Sequence, residues 1–387
     1  MKSSLMSDYF DTRYPCITDL EKKAKSRMPA FAYDYLTEGC MSDECVKRNK
    51  KSLAKVQLRG NVLEPFEGVN METDIFGHKY SAPFGVAPVG LQGLMWPKTP
   101  EYLAKAACEK NIPFVLSTVS SASLENIAYI SEGKAWFQLY NPSSREVQED
   151  LIARVQSAGY PVLVVTVDVS TFGYRPRDIR NGLAMPPKMS VRNVFQMLSR
   201  PHWLIKTALA GKPEMKVLKR YMMHSEKNEQ LMEFMNRAVM GPVDYENLKS
   251  IRDLWKGPLV IKGILTEEDV KLAVSLGADA VVVSNHGGRQ LDAAESPIEP
   301  LQRLSQKYRK SIMFFMDSGI QNGVNIASAL AAGARLAFMG RAFAFGVSAL
   351  GERGAYHTIN LFYQQLEQVM NQLRCDSTEK MTNHLVK

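Results

Sequence analysis

The sequence predicts an α/β protein built as a closed (β/α)8 TIM-type barrel, and three observations lead to that fold class. From residue 80 onward, eight short β-rich runs alternate with helical patterns. Most of the runs are continuously apolar, as a parallel strand covered on both faces requires. Polar residues collect at their C-terminal ends, where such a barrel gathers its chemistry. A chain of 387 residues can hold one such domain over 1–387, although two average domains would also fit.

Taken in order, residues 1–80 precede the alternation and are expected to form an N-terminal helical cap, with a hairpin at Ile75–Tyr80 across the barrel floor. The expected strands are Phe84–Pro88, Phe114–Ser117, Trp136–Tyr140, Val162–Asp168, Leu259–Gly263, Ala280–Asn285, Ile312–Asp317 and Leu336–Arg341. Pro83, Pro113, Pro161 and Pro258 precede four of them, where a missing N–H is tolerated. Thr266 followed by Glu267, Glu268 and Asp269 reads as a capped helix start, and Ser296-Pro297-Ile298-Glu299 as a capping box. Gly159, Gly277 and Gly333 stand where helices should stop. An open doubly wound sheet is the alternative, weakened by the lack of GxGxxG after the first strand. Between the fourth and fifth strands lies an insertion over 182–244 without clear patterning, which reads as a lid.

Composition narrows the function classes. The net charge of +8 suits anionic partners, although a solvated basic surface with no partner is the simpler explanation of charge alone. No recognised motif or basic-aromatic platform supports a nucleic-acid role. Five scattered cysteines without CxxC or Cys/His spacing fit a reduced, cytoplasmic protein with no metal site. The charged stretch from Lys2 to Lys25 does not resemble a signal peptide, and no apolar run approaches the roughly 20 residues that span a bilayer.

The strand ends carry the chemistry. Gln138 and Tyr140 close the third strand, Thr166 and Asp168 the fourth, with Arg175 just beyond. Lys262 closes the fifth, Ser284 and Asn285 the sixth, Asp317-Ser318-Gly319 the seventh, and Gly340-Arg341 the eighth. An unpaired charge buried in an apolar strand costs several kcal/mol, roughly, so these residues call for partners or a ligand. The segment Ser284-Asn285-His286-Gly287-Gly288-Arg289-Gln290 sets an imidazole and a guanidinium three residues apart around two glycines that permit a tight turn. His286 alone would more often be structural. Its neighbours, with Asp168, Lys262 and Arg175, reverse that weighting. The other five histidines have no motif around them.

This segment resembles the active-site signature of the FMN-dependent α-hydroxy acid oxidases and dehydrogenases, a family that includes glycolate oxidase, L-lactate dehydrogenase and mandelate dehydrogenase. The resemblance extends to Tyr33-Asp34-Tyr35, Ala87-Pro88, Trp136–Tyr140 and Val260–Gly263, and so covers nearly the whole chain. It implies an enzyme that oxidises an L-2-hydroxy acid, with FMN as cofactor. Pro88, Val89, Gly90, Ser117, Gln138, Thr166 and Ser284 would contact the flavin, with Lys262 near its N1 and O2, where a cation stabilises the reduced ring. Asp317, Ser318, Gly319, Gly340 and Arg341 would hold the phosphate end. Arg175 and Arg289 would grip the substrate carboxylate, aided by Tyr35. Tyr140 would meet the substrate near its hydroxyl, His286 would act as base, and Asp168 would steady its imidazolium. Flavin N5 would accept the electrons, by hydride transfer or through a carbanion. O2, a quinone or a cytochrome would accept them in turn.

One position departs from the family. Many relatives carry Arg-Arg-Gly after the seventh strand, whereas this chain has Gln321-Asn322-Gly323, which implies weaker FMN retention. Gly90 and Val119 stand where the glycolate oxidases carry Ala and Trp, so the pocket should admit a bulky or aromatic side chain. These features, with Phe172–Arg175, Pro97-Lys98 and Ser296-Pro297, resemble the mandelate dehydrogenase branch. The basic residues Lys188, Arg192, Arg200, Lys206, Lys212, Lys216, Lys219, Arg220 and Lys227 in 182–244, beside Trp203-Leu204-Ile205, suit peripheral contact with the cytoplasmic face of the inner membrane. A solvated lid explains them equally. The resemblance also implies a homotetramer. Two other classes compete: another FMN barrel such as a type 2 isopentenyl diphosphate isomerase, and a catalytically silent FMN-binding protein. Neither needs a histidine base between two carboxylate-binding arginines.

Overall fold

The computed structural model describes residues 11–63, 65–183, 189–223, 234, 239, 241 and 243–386. Its first two strands, β1 (Thr73–Ile75) and β2 (His78–Tyr80), pair antiparallel as a hairpin that turns through Gly77 at φ +80°. The remaining strands are β3 (Phe84–Val86), β4 (Val115–Ser117), β5 (Trp136–Tyr140), β6 (Leu163–Thr166), β7 (Leu259–Ile264), β8 (Ala280–Val283), β9 (Met313–Met316) and β10 (Leu336–Met339). They form one eight-stranded sheet in the order β3-β10-β9-β8-β7-β6-β5-β4. Every pairing is parallel, and a bridge between Val86 and Phe114 joins the two outer strands into a barrel. All eight expected barrel strands are present, with helices between them. Several are shorter at the C-terminal end: Asp168, Asn285 and Asp317 lie beyond their strands, and Arg341 opens the helix Arg341–Leu350. The ladder ends where the chain turns outward at the mouth, which frees these polar side chains from the sheet.

The barrel interior is filled at its floor. Trp136, at the start of β5, packs with Phe315 and Phe338 and with Val115, Val164 and Val260 around Ile75 and Tyr80 of the hairpin. The Trp136 indole donates to the Tyr80 hydroxyl at 3.0 Å, and Phe76 at the hairpin tip lies 5.9 Å from the Trp136 ring. This aromatic plug leaves only the opposite end open. On the outside, the helices bury Leu, Ile, Val and Ala against the sheet.

Local signals behave as expected at most helix ends. The Thr266 hydroxyl accepts from the Asp269 N–H, and Gly159, Gly277 and Gly333 take positive φ after their helices. The capping box at Ser296 is a correction. The helix there is Ile298–Tyr308, the Ser296 hydroxyl has no partner, and Glu299 instead accepts from Ser52 of the N-terminal region at 2.9 Å. A tertiary contact replaces the reciprocal local one.

The N-terminal helices Ile17–Arg27, Ala30–Thr37 and Glu44–Lys55 run to the mouth, the third packing on the His286–Gly288 turn. The interval 182–244 is not unpatterned: it contains the helices Val191–Leu198, Pro201–Ala210 and Lys219–Met223, while Lys188 and Lys227 lie outside the described residues. Trp203 is also not interfacial. It is buried, stacks edge-on against Phe31, and its indole donates to the carbonyls of Leu94 and Met95. What these helices expose instead is Val191, Val194, Phe195 and Leu198 on one, at i, i+3, i+4 and i+7, and Ile205 and Leu209 on the next. Among the described residues, no helix is long and apolar enough to cross a membrane.

Candidate active site

The turn after β8 is built to present one imidazole. His286, Gly287 and Gly288 follow one another at φ +57°, +66° and +76°. Glycine takes such angles freely, whereas a non-glycine residue there is strained by about 1–3 kcal/mol unless its surroundings enforce it. Here they do. The Ser284 hydroxyl accepts from the His286 N–H at 3.0 Å, the Ser318 hydroxyl from the Gly287 N–H at 2.9 Å, and the Asn285 amide oxygen from the Gly288 N–H at 3.1 Å. Asn285 is itself clasped by Asn49 through two amide contacts at 2.7 and 2.9 Å.

Asp168 faces His286 from the neighbouring part of the rim. Its Oδ1 lies 2.9 Å from His286 Nδ1, which leaves Nε2 directed at the Tyr140 hydroxyl 3.5 Å away. Burial would raise the Asp168 carboxyl, but His286 and then Lys262 outweigh it and hold it below its ordinary range. Room for this carboxylate comes from Gly263, at a β-bulge in β7 with φ +111°. A Cβ at Gly263 would stand 2.7 Å from Asp168 Cβ and Cγ. The Tyr140 phenol is pushed up by burial and by Asp168, so it stays protonated as a donor.

Lys262 lies beneath this pair. Its ammonium contacts Asp317 Oδ2 and the Ser284 hydroxyl, each at 2.7 Å, and the Ser318 hydroxyl donates to the other Asp317 oxygen at 2.8 Å. Burial alone would depress Lys262, yet the Asp317 and Asp168 carboxylates raise it and keep it charged.

Three guanidiniums complete the rim. Arg289 donates through one nitrogen to the carbonyls of Tyr35 and Glu38 at 2.8 and 2.9 Å. Arg341 donates to the carbonyls of Leu36, Gly287 and Glu38. Arg175 meets Asp178 at 3.3 Å. The Tyr35 ring lies between two of them, 5.2 Å from the Arg289 guanidinium and 5.9 Å from that of Arg175. Burial, and then Arg175, lower Arg289; burial and Arg289 bring Arg341 down to about 10. Among the described residues neither Arg289 nor Arg341 has a carboxylate in ion-pair contact, so the rim carries excess positive charge.

These groups surround a cavity of about 440 Å³. Of the residues singled out from sequence, Tyr35, Pro88, Val89, Gly90, Gln138, Tyr140, Thr166, Arg175, Lys262, His286, Arg289, Asp317, Ser318, Gly319, Gly340 and Arg341 line it. Ser117, Ser284 and Asp168 stand just behind. The Ser117 hydroxyl donates to Gln138 Oε1 at 3.0 Å. Gly90 and Val119 face each other so closely that a Cβ at Gly90 would meet Val119 Cγ2 at 2.6 Å. Sequence reasoning missed the apolar wall formed by Leu183, Met215 and Val239, which comes from the insertion and has no motif to mark it.

The residues fit a flavin mononucleotide. Gln138 Nε2 and Thr166 Oγ1 are buried, turn to the cavity and have no protein partner, as does Asp168 Oδ2 just behind. An amide donor, a hydroxyl and the Lys262 ammonium suit the carbonyl and imide edge of a planar ring, and Arg341 suits a phosphate.

Comparison with known proteins shows the family. The model of the FMN-dependent dehydrogenase family matches residues 24–387. The chain is 37% identical over 354 residues to an L-lactate dehydrogenase of Vibrio parahaemolyticus, covering 91% of this chain and 93% of the relative. It is 34% identical over 365 residues to an L-lactate dehydrogenase of Pseudomonas syringae, covering 94% and 96%. Among solved structures it superposes on the monotopic membrane protein (S)-mandelate dehydrogenase with a TM-score of 0.89 and 32% identity, over 96% of this chain and 99% of that one. A mandelate oxidase follows at a TM-score of 0.81 and 30% identity, over 95% and 97%. The chain therefore belongs to the FMN-dependent dehydrogenase family and is an FMN-dependent 2-hydroxy acid oxidoreductase.

Proposed function

We propose that the chain oxidises an L-2-hydroxy acid with a bulky side chain to its 2-keto acid, with His286 as the base. The observation that carries this reading is a single cavity faced by His286 Nε2, the Tyr140 hydroxyl and the Arg175 and Arg289 guanidiniums. Arg289 spends one nitrogen on backbone carbonyls and keeps the rest of its fork for the substrate carboxylate, with Arg175 and Tyr35 beside it. Tyr140 holds the substrate hydroxyl as a donor. His286 takes the substrate proton at Nε2, and Asp168, fixed on Nδ1, stabilises the resulting imidazolium. FMN, when bound, supplies the two-electron acceptor at the substrate Cα. Gln138, Thr166 and Lys262 would hold its ring, with Pro88, Val89, Gly90, Ser117 and Ser284 around it. Asp317, Ser318, Gly319, Gly340 and Arg341 would hold the phosphate end. The acceptor that regenerates FMN is O2, a quinone or a cytochrome.

Val119, Leu183, Met215 and Val239 lining the cavity support a large apolar side chain on the substrate, whereas the space beside Gly90 is filled by Val119 itself. Anaerobic mixing of the FMN-loaded protein with glycolate, L-lactate, (S)-mandelate and L-2-hydroxyoctanoate tests both points. Bleaching of the flavin absorbance by the two larger acids is expected. A far higher kcat/KM for glycolate would remove the wide-pocket reading, and no bleaching by any acid would remove the activity.

The outward apolar stripe of Val191–Leu198, flanked by exposed Arg192, Lys206 and Lys212, supports peripheral membrane contact. The mandelate dehydrogenase of similar structure is described as monotopic. Flotation with vesicles containing anionic lipid at low salt tests this. Protein left entirely in the soluble fraction would overturn it.

A further inference from the structure

We infer that Glu38 is a positioning residue that sets both carboxylate-binding arginines from one point in the N-terminal cap. The inference rests on the reading that Arg175 and Arg289 hold the substrate carboxylate. Glu38 lies just past the helix Ala30–Thr37, is only 2% exposed, and is not aimed at the cavity. Its carboxylate accepts from two successive backbone N–H groups, those of Arg177 and Asp178, the latter at 2.8 Å. These N–H groups open the short helix Pro176–Arg180, whose preceding residue is Arg175. The Glu38 backbone carbonyl accepts from Arg289 at 2.9 Å and from Arg341 at 3.2 Å. One residue thus touches the segment bearing the first arginine and the side chain of the second.

The surroundings reinforce this geometry. Arg177 spreads over Asp34, Asp43 and Glu38, and so locks the cap to the same segment. Asn181 donates to Asp34 at 2.8 Å. Asp178, itself buried, faces Arg175, and one of its oxygens has no hydrogen-bond partner. The loop from β6 to the insertion therefore has no barrel strand to fix Arg175. It borrows rigidity from residues more than a hundred positions earlier in the chain. Removing the Glu38 charge while keeping its shape should loosen Arg175 and shift the carbonyl that orients Arg289. It should leave His286 and the ring contacts of Gln138, Thr166 and Lys262 in place.

The test compares Glu38→Gln, Arg175→Met and the double variant as FMN-loaded proteins. Two probes are titrated anaerobically and followed by the flavin difference spectrum: phenylglyoxylate, which has a carboxylate, and 2-hydroxy-2-phenylacetamide, which has none. Glu38→Gln is expected to weaken phenylglyoxylate roughly tenfold and to raise KM by a similar factor, with kcat and the amide affinity changed less than about twofold. In the Arg175→Met background the same change should cost clearly less than in the parent, because the part of the loss that runs through Arg175 is already gone and only the part through Arg289 remains. Equal weakening of both probes, or full additivity in the double variant, would overturn the role of Glu38. If Arg175→Met itself leaves phenylglyoxylate affinity unchanged, the carboxylate reading fails instead. Should Glu38→Gln not accumulate with FMN, Glu38→Asp takes its place. It keeps the charge on a shorter arm, and the same selective loss for phenylglyoxylate is expected, whereas equal loss for both probes overturns the inference.

Discussion

In the proposed reaction turnover depends on the His286–Asp168 pair, because the carboxylate fixes Nδ1 and leaves Nε2 to the cavity. Asp168→Asn should lower kcat by about 10²- to 10⁴-fold while FMN content stays unchanged, measured by steady-state kinetics and flavin absorbance. The pH behaviour follows from the depressed Asp168 pKa. A carboxyl lowered in the folded state contributes stability above its unfolded value, and that contribution is lost as pH falls through the lower folded value. The stability difference between parent and Asp168→Asn, read from urea midpoints, should therefore be present at about pH 5, just above the unfolded carboxyl value, and shrink in stronger acid. Gly263 bears on the same pair from behind. Gly263→Ala places a methyl 2.7 Å from Asp168 in a residue already at φ +111°, so kcat should fall more than phenylglyoxylate affinity. An unchanged kcat would show that Asp168 can move without consequence.

The helices of the insertion divide their apolar residues between two tasks. Trp203 anchors Pro201–Ala210 to the barrel through Phe31 and two carbonyls. Trp203→Ala should cost roughly 3–5 kcal/mol and lower Tm, the expectation for a buried aromatic. Phe195, 68% exposed on the outward stripe, has no such role. Phe195→Ser should leave stability within about 0.5 kcal/mol and, if the stripe meets lipid, weaken vesicle binding. A fall in Tm equal to that of Trp203→Ala would mean that the stripe is covered by protein.

Across the whole molecule, charge and cofactor are linked. The net charge of +8 includes the Arg175, Arg289, Arg341 and Lys262 cations gathered at one end of the barrel. In the proposed arrangement an anionic cofactor would relieve their repulsion and satisfy Gln138 and Thr166. Removing FMN should lower Tm, and free FMN at about 100 times its Kd should restore roughly 2.7 kcal/mol. Gln321 lines the same cavity, while Asn322 caps the helix Gly323–Ala331. Gln321→Arg should slow FMN dissociation, since one charge-assisted contact is worth about 1.5–3 kcal/mol. Faster FMN loss from that variant on a desalting column would contradict the assignment.

The strands were legible in the chain because a strand buried on both faces must be apolar throughout, and Phe84, Trp136, Leu163 and Leu259 each open such a run. The His286 turn was legible because two adjacent glycines and an imidazole form a local pattern. The partnership of Asp168 with His286 was expected through the family resemblance, and its geometry is set only by the fold. Other features came from contacts between distant positions that carry no local signature. Glu38 reaches Arg177 and Asp178, Asn49 clasps Asn285, Ser52 takes Glu299 from its expected cap, and Trp203 turns inward. Periodicity and motif spacing determine which element forms and which end of it is polar. Which side chain holds which across the mouth depends on distances that exist only once the barrel has closed.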